Sequence, residues 1–253
     1  MALRLASGTG QSRGCAVQRL PRAPGLAGAV TCCVALLGGS FDPVHHGHVA
    51  MAALFAELLE PDELRILPAR PWQKSALHAS DAQRIAMLEL AFGGQPFAGS
   101  RTSVTIDLQE IERGSATYTV DTLRGLRAEL GAAASIVFLM GADQLQKLDT
   151  WRDWHELFAL CNLGVAARPG YDLDQDKLPP AVAQELSQRL ATPAEVRTAP
   201  YGKVCLAKTL AVDISATQVR NALRMGMKTG ADISARLPSQ VLDYIQQHNL
   251  YKS

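Results

Sequence analysis

Acidic residues are missing from the start of this chain. The first is Asp42, whereas residues 1–33 carry four arginines and no Asp or Glu. An Arg-rich, acid-poor leader has the composition of an organellar transit peptide, and the apolar run 27–37 imitates the core of a secretion signal. That run, however, continues without a small-residue cleavage site into Gly38-Gly39-Ser40-Phe41-Asp42-Pro43. The reading is therefore a disordered N-terminal extension, residues 1–33, rather than a targeting signal. Long apolar stretches are missing too: none reaches the roughly 18 residues a membrane helix needs, so no membrane partner is expected. Charge of one sign is missing, with 25 Lys and Arg against 24 Asp and Glu and a net charge of +1. The chain has no overall field for nucleic acid or anionic lipid, and phosphate binding has to come from a local site. Five cysteines (Cys15, Cys32, Cys33, Cys161, Cys205) form no C-x-x-C pair. The odd number and the spacing argue against a disulfide framework and against zinc, and fit reduced thiols in a cytoplasmic protein. Both common nucleotide fingerprints are absent: there is no G-x-x-x-x-G-K-[ST], and Gly8, Gly10 and Gly14 follow no strand.

From residue 34 onward, short β-rich runs alternate with amphipathic helical patterns. Strands are expected over 34–37, 64–67, 104–106, 135–140 and 162–167, with one more at 204–206 or 210–212. Helices are expected over 48–59, 81–92 (opened by Ser80 or Asp81), 119–130, 216–225 and 239–248. Strands separated by helices imply parallel βαβ units, so the fold class is α/β: a single doubly wound, Rossmann-like domain over residues 34–253, its central parallel sheet flanked by helices. Ligands of such sheets bind beyond the carboxyl ends of the strands, here at Gly38-Gly39, 68–74, 141–143 and 213–217. The polar, Pro-rich segment 168–203 reads as a peripheral insertion.

Chemistry concentrates in Gly38-Gly39-Ser40-Phe41-Asp42-Pro43-Val44-His45-His46-Gly47-His48. A glycine pair after a strand lets the backbone approach a bulky anion, and the following helix N-terminus offers free N–H groups and a positive dipole end. His45 and His48, three apart, fall on the same side of a helical turn, from which two imidazoles can donate to charge developing on a phosphoryl oxygen. His46 points elsewhere. A second cluster is Ile214-Ser215-Ala216-Thr217-Gln218-Val219-Arg220. Its S-x-x-Q spacing is a capping box that makes Ser215 the N-cap of a helix, with Thr217 and Arg220 one turn apart on one face. A hydroxyl, backbone donors and a guanidinium at a helix start suit the outer phosphates of a triphosphate.

The first run resembles the H-x-G-H signature of the nucleotidyltransferase superfamily in its G-G-[ST]-F-D-P-x-H-x-G-H form, and the second resembles that superfamily's I-S-x-T-x-[IV]-R motif. Three further segments resemble the bacterial nicotinate mononucleotide adenylyltransferases. They are 115–123 around Tyr118-Thr119, Phe138-Leu139-Met140-Gly141-Ala142-Asp143 with Thr150-Trp151, and the ending 241–251. The resemblance runs in order over about residues 34–252. It implies an enzyme that joins nicotinate mononucleotide to the AMP moiety of ATP, giving deamido-NAD and pyrophosphate by in-line attack without a covalent intermediate. It also implies Mg²⁺ bound with ATP and no metal held by protein side chains. By the same resemblance Gly38, Gly39, Ser40, Phe41, His45, His48, Ser215, Thr217 and Arg220 bind ATP, with His45, His48 and Arg220 as the catalytic set. Thr119, Asp143 and Trp151 take the mononucleotide: Trp151 stacks on the pyridine ring, Thr119 with nearby backbone N–H groups faces its carboxylate, and Asp143 holds a ribose hydroxyl. The chain departs from the family at Pro71-Trp72-Gln73-Lys74, where a Pro-Pro-His-[KR] loop is usual; Lys74 remains a candidate for a phosphate contact.

Nicotinamide mononucleotide or another small phosphate is the alternative acceptor, because a carboxylate read by backbone N–H groups leaves no diagnostic side chain. A catalytically silent nucleotide-binding relative is the alternative from another class, opposed by the presence of His45, His48, Thr217 and Arg220 together. The sequence assigns no oligomeric state. The domain reading carries its own test. A chain beginning at Thr31 is expected to keep the melting temperature and activity of the full-length protein, and loss of folding in a thermal melt would place the leader within the domain.

Overall fold

All seven residues of 135–141 are buried. A strand with no polar face belongs in the middle of a sheet covered on both sides, and that is its place in the computed structural model of the chain. The structure describes residues 32–252 except 71–76, 94–96, 98–99, 168–176, 208–211, 213 and 230–232, with residues 226–229 described by backbone only. The elements are β1 (Cys33–Gly39), α1 (His46–Leu59), β2 (Glu63–Pro68), α2 (Asp81–Phe92), β3 (Ser103–Ile106), α3 (Gln109–Glu112), α4 (Thr119–Leu130) and β4 (Ser135–Gly141). They continue with α5 (Ala142–Leu145), α6 (Leu157–Leu160), β5 (Asn162–Ala166), α7 (Pro180–Arg189), α8 (Pro193–Thr198), β6 (Val204–Ala207), α9 (Ala216–Thr229) and α10 (Ser239–Gln247). Short 3₁₀ turns lie at Leu148–Thr150 and Trp154–Glu156.

The strands form one six-stranded sheet in the order β3-β2-β1-β4-β5-β6, every pair parallel. This is the doubly wound, Rossmann-like arrangement expected from the sequence. Because successive side chains of a strand point to opposite faces, two apolar layers result. Ala35, Leu37, Leu64, Ile66, Val137 and Leu139 pack with Phe55 of α1, Met87 and Leu88 of α2, Val219 of α9 and Ile245 of α10. Leu36, Leu67, Ile136, Phe138 and Met140 pack on the other face with Leu123 of α4, Phe158 of α6 and Leu186 of α7. Among the described residues no helix is long and apolar enough to cross a membrane. Cys32, Cys33, Cys161 and Cys205 form no disulfide among the described residues. Burial pushes the Cys33 thiol up to about 11 and that of Cys161 up to about 12, so both stay protonated.

Local signals explain several boundaries. Ser80 opens α2 with a capping box: its hydroxyl accepts from the Gln83 N–H at 3.3 Å, and the Gln83 side chain accepts from the Ser80 N–H at 2.9 Å. Helix α1 begins at His46, two residues before the expected start, and the short α3, α5 and α6 carry too few turns to leave a periodic pattern. The last strand is Val204–Ala207, and most of the competing segment 210–212 lies outside the described residues. Segment 168–203 needs correction. Its described part carries α7, whose Val182 and Leu186 are fully buried in one apolar layer, and α8, whose Val196 is fully buried in the other. Asn162 Nδ2 donates to the carbonyls of Val196 (3.3 Å) and Ala199 (2.7 Å), and Ser135 Oγ donates to Val196 O at 2.8 Å. The described part of the segment is built into the core. Its polar composition misleads because only a few apolar residues per helix face inward.

Gly164 sits where α1 approaches β5 closely. A Cβ there would lie 2.7 Å from Leu139 Cδ2 and 2.9 Å from Phe55 Cε1. Gly164→Ala is therefore expected to destabilise the fold by about 1–3 kcal/mol through overpacking. In urea unfolding the midpoint should fall with the slope unchanged; a midpoint equal to the parent's would mean that the α1 contact yields without strain.

Candidate active site

Strand order reverses between β1 and β4, so the connections leaving their carboxyl ends run to opposite sides and open a crevice. A cavity of about 840 Å³ occupies it. Its lining comes from the end of β1 (Gly38, Gly39, Ser40), from α1 (His48, Met51), from the start of α4 (Tyr118, Thr119), from β4 and α5 (Phe138, Met140, Asp143, Gln144), and from the turn after α5 (Lys147, Trp151, Arg152).

The loop between β1 and α1 is shaped by buried polar groups. Asp42, 3% exposed, accepts at Oδ2 from His78 N–H (2.8 Å) and at Oδ1 from Ala79 N–H (3.1 Å) and Tyr251 O–H (2.7 Å). Burial and the Asp42 carboxylate both push the Tyr251 phenol well above its ordinary range, which keeps it a donor. The Asp42 carbonyl accepts from Arg220 Nη1 at 2.7 Å, and the Asp42–Pro43 peptide is cis. Arg84, fully buried, donates through Nη1 to Ser40 O (2.6 Å) and Ala69 O (3.0 Å), joining the loops after β1 and β2, and through Nη2 to Asp81 (2.8 Å). On the far wall Glu110, 5% exposed, accepts from the hydroxyls of Thr117 (2.6 Å) and Thr122 (2.8 Å) and from Arg70 N–H (3.3 Å), anchoring the approach to α4.

Within this frame the histidines meet differently from the expected helical pair. His45 precedes α1 in an extended conformation (φ −146°, ψ 170°) and is 1% exposed, so it is the cap and not part of the turn. Its ring still stacks on His48, with centroids 3.8 Å apart and planes at 26°. The His45 backbone N–H donates to His48 Nδ1 at 3.3 Å. A neutral ring that accepts at Nδ1 carries its proton on Nε2, and His48 is among the residues that line the cavity. Gly47 between them is required by space: a Cβ would lie 3.0 Å from the His45 ring and 3.1 Å from Ile214 O, the residue leading into α9. His46 contributes a backbone tie, N–H to Arg236 O at 2.9 Å.

Gly38, Gly39, Ser40, His48, Thr119, Asp143 and Trp151, all singled out in the sequence, line the cavity. Phe41 and His45 lie buried beneath it, the Phe41 ring edge-on to His48 at 4.8 Å. Ser215, Thr217 and Arg220 stand at the start of α9 outside that lining. Ser215 N–H donates to Gln218 Oε1 (2.7 Å) and Gln218 N–H to Ser215 Oγ (3.2 Å), the capping box read from the spacing. Arg220 Nη2 donates to Thr217 Oγ1 at 3.2 Å, so Arg220 joins α9 to the loop that holds His48. Lys74 lies outside the described residues. Asp143 is in the first turn of α5, whose N-cap is Gly141. One of its oxygens accepts from Gln144 Nε2 at 2.8 Å, while Oδ1 is buried without a hydrogen-bond partner among the described residues. A buried acceptor in a cavity wall calls for a donor from a ligand. Trp151 stands edge-on to Phe138, with centroids 6.1 Å apart. Sequence reasoning missed Arg84, Glu110, Tyr118, Arg152 and the role of Tyr251. Arg84 and Glu110 sit in ordinary amphipathic patterns, and their purpose depends on carbonyls and hydroxyls distant in the chain.

Comparison with known proteins agrees with this geometry. The family model described as cytidylyltransferase-like matches residues 36–222. A probable nicotinate-nucleotide adenylyltransferase of Herminiimonas arsenicoxydans is 55% identical over 226 residues, covering 89% of this chain and 99% of that protein. One of Laribacter hongkongensis is 42% identical, covering 87% and 94%. Among solved structures, Plasmodium falciparum nicotinic acid mononucleotide adenylyltransferase complexed with NaAD superposes with a TM-score of 0.67 at 18% identity, over 87% of this chain and 97% of that one. At that identity the superposition speaks for the fold.

Tyr251→Phe removes a buried donor to Asp42 and leaves the two backbone donors in place. Hydrogen bonds to charged groups contribute about 1.5–3 kcal/mol, so stability should fall by that amount. A thermal melt checks it, and an unchanged midpoint would show that Tyr251 only covers the carboxylate.

Proposed function

The chain belongs to the nicotinate-nucleotide adenylyltransferases within the cytidylyltransferase-like family, and from that premise we propose that it joins nicotinate mononucleotide to the AMP moiety of ATP, giving deamido-NAD and pyrophosphate. A phosphate oxygen of the mononucleotide attacks the α-phosphorus in line. The new P–O bond forms as the bond to the β-phosphate bridging oxygen breaks, and pyrophosphate leaves with that electron pair. The protein then has little covalent chemistry to do, and catalysis is positioning plus stabilisation of charge.

The observation that carries this reading is the oriented His48. Its Nδ1 accepts from the His45 N–H, and it lines the cavity beside Gly38 and Gly39, whose backbone admits a phosphate chain in this reading. His48, supported by the stacked His45, donates to the α-phosphate oxygens as their charge shifts; Ser215, Thr217 and Arg220 hold the departing pyrophosphate. Trp151 stacks on the pyridine ring, Thr119 faces its carboxylate, and the unpartnered Asp143 Oδ1 accepts from a ribose hydroxyl. The loop's one acid, Asp42, is consumed by its internal donors, and the described residues contain no cluster of three or more His, Cys, Asp or Glu able to hold a metal. That donor set fits Mg²⁺ carried by the triphosphate, where it would shield charge on the phosphates. Residues 34–253 form the catalytic domain in this reading, and described cysteines that form no disulfide fit a reducing cytoplasm.

Pyrophosphate release with ATP and each mononucleotide in turn tests the function: release with nicotinate mononucleotide supports it, and release with neither refutes it. His48→Ala should lower turnover about 10²–10³-fold, by analogy with loss of one preorganised oxyanion donor. Substrate affinity should change little, because the interaction strengthens mainly in the transition state. Turnover within a few-fold of the parent, with a normal melt, would remove His48 from the mechanism.

A further inference from the structure

A nicotinate ring differs from a nicotinamide ring by one full negative charge, and an anion entering a cavity needs a compensating cation or a set of donors. Lys147 and Arg152 are the cavity's lysine and arginine among its described lining residues. They stand in different surroundings. Lys147 ends the turn after α5, on the side of Asp143 and Gln144, where a ribose is placed. Arg152 follows Trp151 directly, and its guanidinium carbon lies 4.7 Å from the centroid of the Tyr118 ring. Tyr118 in turn precedes Thr119, the first residue of α4. The stacked guanidinium is thus tethered between the aromatic side chain proposed to hold the pyridine and the helix start proposed to face its carboxylate. Its neighbour Asp153 offers only a loose ion pair, Nε to Oδ2 at 3.7 Å, and half of the Arg152 side chain is exposed, so its donor edge is open to an incoming carboxylate.

The geometry points to Arg152 as the residue that makes this site prefer a pyridine carboxylate over the carboxamide, by supplying a charge-assisted contact that the amide cannot match. This rests on the adenylyltransferase reading above. A guanidinium stacked on an aromatic face is held in one plane while its N–H groups remain free at the edge, so less freedom is lost when a carboxylate binds. Because half of the side chain is in water, solvent screens the interaction and the discrimination is of moderate size.

The test is steady-state kinetics of the full-length chain with ATP and either nicotinate or nicotinamide mononucleotide. Arg152→Met should lower kcat/KM for the acid about tenfold, leave that for the amide within threefold, and leave KM for ATP unchanged. Arg152→Lys, which keeps the charge without the planar fork, should recover part of the preference. Lys147→Met should keep the parent's ratio of acid to amide. Parallel losses for both acceptors in Arg152→Met would overturn the assignment, as would loss of the preference in Lys147→Met instead. Failure of the parent to use either mononucleotide would refute the adenylyltransferase reading and the inference with it. A parent that uses the acid while Arg152→Met keeps its preference refutes the inference alone.

Discussion

A carboxylate buried without partners would destabilise any fold by several kcal/mol, and the arrangement around Asp42 is what makes its burial tolerable. Its two oxygens take donors from the residues before α2 and from the C-terminal Tyr251, while its backbone carbonyl is held by Arg220 of α9. Segments far apart in sequence thereby meet at one residue of the loop between β1 and α1. That loop ends in His45 and carries Ser40, so the position of the stacked histidines depends on the whole set. Arg84 repeats the device with the sign reversed: a buried cation satisfied by the carbonyls of Ser40 and Ala69 and by Asp81.

These two residues separate framework charges from working charges. Asp42 and Glu110 are both spent on internal donors, Asp42 on backbone N–H groups and a phenol, Glu110 on two hydroxyls and a backbone N–H. The cavity lining keeps groups that suit an anionic ligand: the glycine pair, His48, Lys147 and Arg152. A chain of net charge +1 can in this way bind a triphosphate and a second phosphate ester without a basic surface. The exception, Asp143, has an oxygen lacking a partner among the described residues, which supports the proposed contact with a hydroxyl of the ligand.

The sheet sets the rest. Crossing β1 and β4 at the middle of the order places Gly38-Gly39 beside Met140-Gly141, so the triphosphate motif and the Asp143–Trp151 stretch reach one cavity although about 100 residues separate them. Helix α9 then brings Ser215, Thr217 and Arg220 to the same loop through the single Arg220–Asp42 bond.

By itself the sequence determined the alternation of strands and helices, the doubly wound class, and part of the cavity wall. Those features rest on local physics: periodicity of apolar residues, glycine where backbone must approach, and the Ser80 and Ser215 capping boxes that close within three residues. Gly38, Gly39 and His48 were legible because they lie in a short motif whose chemistry is complete within a few positions, whereas Asp143 and Trp151 were legible only through the resemblance of their segment to the adenylyltransferases. Tertiary structure alone decided what depends on distant partners. The core role of 177–203 hangs on Val182, Leu186 and Val196 reaching opposite apolar layers, which sparse apolar spacing does not announce. The purposes of Arg84, Glu110 and Tyr251 exist only once carbonyls, hydroxyls and a carboxylate from other elements surround them. Arg152 acquires its significance from Tyr118, 34 positions earlier in the chain, because stacking is a relation of planes in space and no interval along the chain encodes it.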